Sequence, residues 1–285
     1  MSLEKRTTKK HLFDISLNYS KNYLDLGMLD LGKEGEEAIM TTTNIMPVMT
    51  DIHMHIIPSV DDGAWDLDMS MRMIYMAYEQ GVRKMIATPH SSAFEENQKL
   101  VQIGYQQLKE KLARFYPDME LALGCEVFCR QNIMKDILTN LKKGVFPSMN
   151  GTKYVLTEFN TLMDVEEVKF CVTQLLEAGW IPLIAHVERY PRLFLEVKVL
   201  EELKQMGCLL QINVFSVFEE DDWGIRQRSV SLVEKKMVDF LGSDAHRTFH
   251  RPPSVERGLK YLYETYEKEY VDAIAFGNAE KLLLD

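Results

Sequence analysis

The sequence predicts a single α/β domain built on a parallel sheet. Short apolar runs rich in branched residues alternate with longer amphipathic runs from residue 49 onward, and Gly81, Gly179 and Gly207 end amphipathic runs just before the next apolar run. This alternation is typical of βαβ units with right-handed crossovers, and glycine suits the C-terminal end of a helix. We favour a closed or distorted barrel over an open doubly wound sheet, because no glycine-rich dinucleotide loop follows the first strand.

The predicted elements follow one another as strand and helix pairs. Apolar runs predict seven strands at residues 51–57, 84–88, 121–128, 154–159, 181–186, 209–214 and 238–242. Amphipathic runs predict helices at 67–80, 100–116, 165–178, 196–206 and 223–236. The 285 residues suffice for one barrel, which commonly takes about 250. Residues 1–48 lack a sustained apolar period, so we expect an N-terminal appendage, non-native or disordered, ahead of a domain at 49–285.

Composition argues against several classes of protein. The net charge is −10 and lysines and arginines do not cluster, which is unlike a nucleic-acid-binding surface. No apolar run approaches the roughly 18 residues that span a bilayer, and charges interrupt residues 12–31, where a signal peptide would need an apolar stretch. The four cysteines lack the paired spacing of a disulfide framework or a zinc knuckle. We expect a cytoplasmic protein that neither binds nucleic acid nor inserts into membranes.

The first predicted strand carries two histidines on one face. Side chains alternate along a strand, so His53 and His55 point the same way. Burying two unpaired imidazoles is costly unless a metal coordinates them, and a hydrogen-bonded polar core is the alternative. Pro58 and the turn at Asp61-Asp62-Gly63 end the strand, and the turn brings two carboxylates back towards the same end. This pattern predicts a metal site.

Further histidines and carboxylates follow the ends of the later strands. In a parallel sheet these ends share one edge, where polar residues indicate chemistry. Any one of them can instead cap a helix or bond within the core, but nine at one edge are hard to explain separately. Imidazoles with carboxylates suit zinc, manganese or iron(II) better than calcium, and nine ligands exceed the needs of one ion, so two or three ions are expected. The candidates are His53, His55, Asp62, His90, Glu126, Glu158, His186, Asp244 and His246.

These residues lie in motifs that resemble the PHP (polymerase and histidinol phosphatase) superfamily. The motifs are Asp-Ile-His-Met-His-Ile-Ile-Pro with Asp-Asp-Gly, then Ala-Thr-Pro-His, Gly-Cys-Glu, Leu-Thr-Glu-Phe, Ala-His-Val-Glu-Arg-Tyr and Gly-Ser-Asp-Ala-His, in this order. The chain is most similar to the bacterial protein-tyrosine phosphatases encoded with capsular and extracellular polysaccharide genes. The resemblance implies a distorted seven-stranded (β/α)7 TIM-like barrel that holds three divalent ions, usually manganese, with iron or zinc as alternatives. The ligand positions of that family fall on all nine candidates.

The resemblance also implies a reaction and a partner. Arg189 and Arg251 match arginines near the phosphate, and a guanidinium can bind two phosphoryl oxygens at once. We expect phosphotyrosine hydrolysis by a metal-activated hydroxide, with His246 as the candidate general acid. The implied substrate is the tail of a membrane-associated tyrosine autokinase that controls polysaccharide synthesis. A covalent phosphocysteine is not expected, since no cysteine precedes an arginine in a Cys-x5-Arg motif.

Other functions stay open from the sequence. The same ligands can serve hydrolysis of histidinol phosphate or another small phosphomonoester, and a metal-dependent amidohydrolase is possible on barrel grounds. An intact ligand set argues against a non-catalytic binding module, and the negative charge argues against a phosphodiesterase or nuclease. Phe94, Phe159 and Tyr190 follow the strand ends, where they can pack internally or stack on a tyrosyl ring.

Overall fold

The computed structural model describes residues 49–219 and 222–283 of the chain, and the predicted appendage at 1–48 lies outside the described residues. Within these ranges all strand pairings are parallel. One sheet has the order β1-β2-β3 and the other the order β4-β5-β6-β7-β8. The predicted parallel α/β fold is confirmed. The strands are β1 (Met49–Met54), β2 (Val82–Ala87), β3 (Glu120–Leu123), β4 (Glu126–Phe128), β5 (Tyr154–Glu158), β6 (Ile181–Ile184), β7 (Leu209–Asn213) and β8 (Phe240–Gly242).

Helices alternate with the strands and then close the chain. The five predicted helices are present, although the second begins at Ser91, before a kink at Asn97. Gly81, Gly179 and Gly207 have φ angles of 91°, 87° and 108°, as their predicted place after helices requires. No helix in the described part of the chain is long and apolar enough to cross a membrane. The helices are α1 (Leu67–Glu79), α2 (Ser91–Phe115), α3 (Met134–Lys143), α4 (Val165–Glu177), α5 (Val197–Met206), α6 (Trp223–Glu234), α7 (Glu256–Thr265), α8 (Lys268–Asp272) and α9 (Glu280–Leu283).

The predicted count of seven strands is not confirmed, because the third predicted strand is interrupted. β3 pairs with β2, whereas β4 pairs with β5. Between them, the Gly124 amide donates to the Ala87 carbonyl at 2.8 Å and the Glu126 amide donates to the Pro89 carbonyl at 3.1 Å. A Cβ at residue 124 would lie 2.9 Å from the Met149 sulfur, so glycine permits the close packing at the break.

The two sheets are joined at β1 and at the segment that follows β8. The Asp244 amide donates to the His53 carbonyl at 2.8 Å, and the His55 amide donates to the Ala245 carbonyl at 2.9 Å. Side chains of strands from both sheets also meet in one small buried cluster. The cluster includes Ile52, Ile86, Leu156, Leu183 and Phe240. These contacts fix the strand ends of both sheets relative to one another, and the predicted ligands lie at those ends.

Candidate metal centre and active site

Glu126, the first residue of β4, lies at the centre of a buried cluster of predicted ligands. Its Oε1 is 3.3 Å from His53 Nε2 and 2.9 Å from His186 Nε2. Its Oε2 is 3.2 Å from His55 Nε2 and 3.1 Å from His90 Nδ1. The break between β3 and β4 therefore places one carboxylate among imidazoles that come from three other strand ends.

Three more predicted ligands extend this cluster towards solvent. His90 Nδ1 lies 3.0 Å from Glu158 Oε1, and His90 Nε2 lies 3.3 Å from Asp62 Oδ1. The same Asp62 oxygen is 3.2 Å from His246 Nε2. Burial opposes a charge on His90, but the nearby carboxylates of Asp62, Glu126 and Glu158 raise the pKa of His90 well above its usual range.

Asp244 joins the cluster to the two predicted arginines. Its Oδ1 lies 3.6 Å from both His53 Nε2 and His55 Nε2. Its Oδ2 accepts from Arg189 Nη1 at 2.6 Å and from Arg251 Nη1 at 3.5 Å. Both arginine side chains are about 30% exposed, at 29% and 32%, so they border the cluster on its open side. All nine predicted ligands and both predicted arginines are thus brought together.

Three of these residues have a left-handed backbone. The φ angles are 34° at His186, 53° at Asp244 and 50° at Arg251. Non-glycine residues rarely adopt this conformation, which costs about 1–3 kcal/mol each when the surrounding structure imposes it. These three positions place backbone strain within the candidate site.

Hydrogen bonds behind the imidazoles orient them towards the cluster. His53 Nδ1 lies 3.2 Å from Gln211 Oε1, His55 Nδ1 lies 2.9 Å from Asp61 Oδ2, and His246 Nδ1 lies 2.9 Å from the Asp244 carbonyl. Each partner is an oxygen acceptor, so the neutral ring carries its proton on Nδ1 and directs the Nε2 lone pair at the cluster. Metal-ligating histidines are commonly held in this way.

The donor set fits metal ions better than a network of hydrogen bonds. The Nε2 atoms of His53 and His55 face each other at 3.3 Å, where two lone pairs would repel without a cation between them. Glu126 Oε2 and His246 Nε2 are buried and make no hydrogen bond within the described residues. The ligand atoms of three groups each lie within 4.8 Å of one another. The groups are His55, Asp62, His90 and His246; His53, His55 and Glu126; and His90, Glu126 and Glu158.

The protonation of His246 bears on its predicted role as a general acid. Burial and the nearby charge of His55 lower the pKa of His246 to about 4. A neutral ring whose Nδ1 donates to a carbonyl has no proton to give from Nε2. The geometry therefore favours His246 as a ligand over His246 as an acid.

A cleft of about 340 Å³ opens beside His90 and Glu158. Its walls are mainly apolar, with Phe128, Ile137 and Phe146 among the lining residues. Small-molecule pockets are commonly lined by apolar and aromatic side chains with a few polar groups. The cleft therefore places an apolar recess directly against the metal-ligand cluster.

The sequence profile of the family described as "Capsular polysaccharide synthesis, CpsB/CapC" matches residues 49–284. The chain belongs to the CpsB/CapC family. This match confirms the family predicted from the motifs.

Individual CpsB/CapC relatives are similar over most of their length. The chain is 32% identical over 242 residues to the tyrosine-protein phosphatase YwqE of Bacillus subtilis, covering 82% of this chain and 91% of that protein. It is 29% identical over 244 residues to the tyrosine-protein phosphatase CpsB of Streptococcus pneumoniae, covering 83% of this chain and 99% of that protein. A solved structure from work on YwqE and CpsB, described as unique metal-dependent tyrosine phosphatases, matches with a TM-score of 0.71 and 30% identity over 82% of this chain and 94% of that one.

In this CpsB/CapC chain, the residues that hold the ligands were not predicted from the sequence. No site residue was predicted on the sixth strand, yet Gln211 and Asn213 are both buried in β7. Gln211 accepts from the His186 amide at 2.8 Å, and Asn213 Nδ2 donates to Asp244 Oδ2 at 3.2 Å. Two polar residues at alternate positions of a buried strand share a face, and this signal could have identified them.

The three aromatic residues that follow the strand ends are interior. Phe94, Phe159 and Tyr190 are only 2–3% exposed, so they pack internally and do not present a face for stacking. The Tyr190 hydroxyl accepts from the Phe159 amide at 3.1 Å and lies 3.3 Å from His186 Nδ1. Tyr190 therefore positions His186.

Proposed function

We propose that the chain is a metal-dependent protein-tyrosine phosphatase that acts on phosphotyrosine proteins of capsular or extracellular polysaccharide synthesis. The observation that carries this proposal is the cluster of nine histidine and carboxylate side chains bordered by two arginines, in a chain whose CpsB/CapC relatives are named tyrosine-protein phosphatases. An arginine pair beside candidate metal ligands suits a phosphoryl group, because guanidinium groups bind its oxygens bidentately.

The cofactor in this proposal is a set of three divalent ions, most simply manganese, with iron or zinc as alternatives. The three groups of close ligand atoms would hold them, and His186 and Asp244 would complete the set. When bound, such ions supply Lewis acidity and a water of lowered pKa, so the protein needs no nucleophile of its own.

The side chains of the protein do the remaining work. Arg189 and Arg251 bind the phosphoryl oxygens, and Asp244 holds both guanidinium groups at the open side of the cluster. Asp61 and Gln211 keep the imidazoles of the first strand in the ligating orientation. The cleft of about 340 Å³ beside His90 would receive the phenyl ring of the leaving group.

The architecture proposed for residues 49–285 is one PHP domain with a closed, distorted seven-stranded barrel. β3 and β4 would then be two halves of one interrupted strand. Three contacts support closure: the hydrogen bonds between the β1 end and the segment after β8, the isolated bridge between Met54 and Ala245, and that between His90 and Glu126.

The proposed substrate is the phosphorylated tail of a tyrosine autokinase at the cytoplasmic face of the membrane. A kinase tail fits a family described by capsular polysaccharide synthesis and relatives named tyrosine phosphatases. The four cysteines are free and buried, which is typical of proteins in a reducing compartment and supports a cytoplasmic location.

The test measures phosphate release from a phosphotyrosine peptide and from histidinol phosphate, before and after manganese is added to metal-stripped protein. We expect manganese to restore release mainly from the peptide, and His186→Ala to abolish release while the circular dichroism spectrum is retained. Preference for histidinol phosphate would indicate that the site hydrolyses small phosphomonoesters and not phosphotyrosine proteins. Release from neither substrate would contradict the proposed phosphatase.

A further inference from the structure

Two exposed aromatic rings form a platform beside the candidate active site. Trp65 follows β1 and is 49% exposed, and Phe249 follows β8 and is 65% exposed. Their ring centroids are 5.6 Å apart with an interplanar angle of 46°. The Arg247 guanidinium lies 5.4 Å from the Trp65 ring centroid. We call Trp65, Arg247 and Phe249 the aromatic platform.

Hydrogen bonds connect the platform to the loop that carries the candidate metal ligand Asp62. Arg247 Nε donates to the Gly63 carbonyl at 3.2 Å and Arg247 Nη2 donates to the Asp62 carbonyl at 3.1 Å. The Ser59 hydroxyl donates to the Trp65 carbonyl at 2.7 Å. The two Arg247 bonds connect the loop after β8 with the loop after β1, and the Ser59 bond fixes the Trp65 backbone within the loop after β1, which reduces the ordering needed when a ligand binds.

One residue separates the platform from the proposed phosphate site. The carboxylate of Asp62 contacts Arg251 Nη2 at 3.3 Å, and the carbonyl of the same Asp62 contacts Arg247. An extended peptide advances about 3.3–3.6 Å per residue, so residues that flank a bound phosphotyrosine extend from the phosphate site over its surroundings. A small ester has no such neighbouring group.

The charge and shape of the platform indicate its occupant. Arg247 has no acidic partner within the described ranges 49–219 and 222–283, and its contacts with Asp62 and Gly63 are to backbone carbonyls. In a chain of net charge −10, Arg247 adds a positive charge without an acidic partner to the loop that also carries Arg251, and this charge attracts an anionic phosphopeptide. Tilted exposed rings favour another aromatic ring through edge-to-face contact.

We propose that the aromatic platform binds an aromatic side chain adjacent to the phosphotyrosine and so selects polypeptide substrates with aromatic neighbours. This inference rests on the proposed phosphatase function and adds a sequence preference to it. Trp65 and Phe249 would then be specificity-determining residues that contact the substrate outside the metal cluster.

The experiment compares three substrates with manganese-loaded protein: free phosphotyrosine, a phosphotyrosine peptide with flanking phenylalanine and the same peptide with flanking alanine. Wild-type protein is expected to prefer the phenylalanine peptide. Trp65→Ala combined with Phe249→Ala should lower kcat/KM for that peptide about tenfold, mainly through KM, to the level of the alanine peptide. Arg247 is not substituted because it also supports the Asp62 loop.

Phe115→Ala is the matched control, because Phe115 is 52% exposed at the far end of α2 from the site. It should leave the preference for the phenylalanine peptide unchanged. Equal kcat/KM for the two peptides in wild-type protein, or a preference that survives the double substitution, would overturn the platform alone. Hydrolysis of none of the three substrates would overturn the phosphatase proposal as well.

Discussion

Replacing Asp61 by asparagine tests whether the cluster binds metal through oriented imidazoles. Asp61 Oδ2 accepts from His55 Nδ1 at 2.9 Å and from the His90 amide at 3.2 Å, while Oδ1 accepts from the Gly63 amide at 3.0 Å. Asparagine keeps the shape but has one acceptor oxygen instead of two. Whichever way the amide turns, its NH2 group faces an amide or an imidazole that is itself a donor.

The size of the effect follows from these contacts. If the oxygen stays towards His55, the Gly63 amide loses its partner, which costs about 1–3 kcal/mol. The imidazole also loses the carboxylate that orients it and increases its basicity. Loss of such a partner typically lowers metal affinity about 10–100-fold, or about 1.4–2.8 kcal/mol.

Calorimetric titration of metal-stripped protein with manganese measures this affinity directly. Asp66→Asn is the control, because Asp66 caps α1 through the Met69 amide at 2.8 Å, and asparagine caps a helix equally well. We expect wild-type affinity for Asp66→Asn and a 10–100-fold loss for Asp61→Asn, with turnover recovering at high manganese. An Asp61→Asn affinity within twofold of wild type would refute the orienting role.

Three further predictions concern the phosphate site, the thiols and the packing of the first loop. Arg189→Lys should lower kcat/KM for a phosphotyrosine peptide about 10²–10³-fold, because an ammonium group cannot bind two oxygens in a fixed fork; a change below threefold in steady-state kinetics would contradict this. Iodoacetamide should leave turnover intact, because all four cysteines are buried and burial raises the pKa values of Cys171 and Cys208 to about 12. Mass spectrometry of the urea-unfolded protein should instead show four adducts. Gly63→Ala should lower the free energy of unfolding by about 1–3 kcal/mol and weaken manganese binding, because its Cβ would lie 2.2 Å from the His55 carbonyl oxygen. Gly277→Ala, whose Cβ would meet its nearest atom at 3.5 Å, is the control in denaturant titrations. Equal stability of the two variants would contradict the prediction and show that the loop around Gly63 can relax.

The sequence was sufficient to find the ligands because each one follows a strand in a short motif. Parallel strands place their ends together, so nine residues spread from His53 to His246 could be predicted to meet. The residues behind them were missed because their roles depend on contacts between strands, as for Gln211 with His53 and His186. Periodicity indicates which face a side chain shares but does not identify its neighbours.

Three other differences have a similar cause. The break in the third predicted strand depends on how Gly124 packs against Met149, which no local pattern reveals. Phe94, Phe159 and Tyr190 were correctly placed after strand ends, but their burial is decided by the loops that cover them. The exposed rings of Trp65 and Phe249 lie in turns, where composition gave no reason to expect apolar groups.

The left-handed backbone at His186, Asp244 and Arg251 links the site to the evolution of the protein. About 1–3 kcal/mol at each position is large beside a typical domain stability of about 5–15 kcal/mol. Selection for stability alone would replace these residues with glycine or asparagine, which adopt this conformation at little cost. In a duplicated gene whose product no longer needs catalysis, we expect these three positions to drift early. Glycine or asparagine at these positions would identify a homologue that has lost catalytic activity.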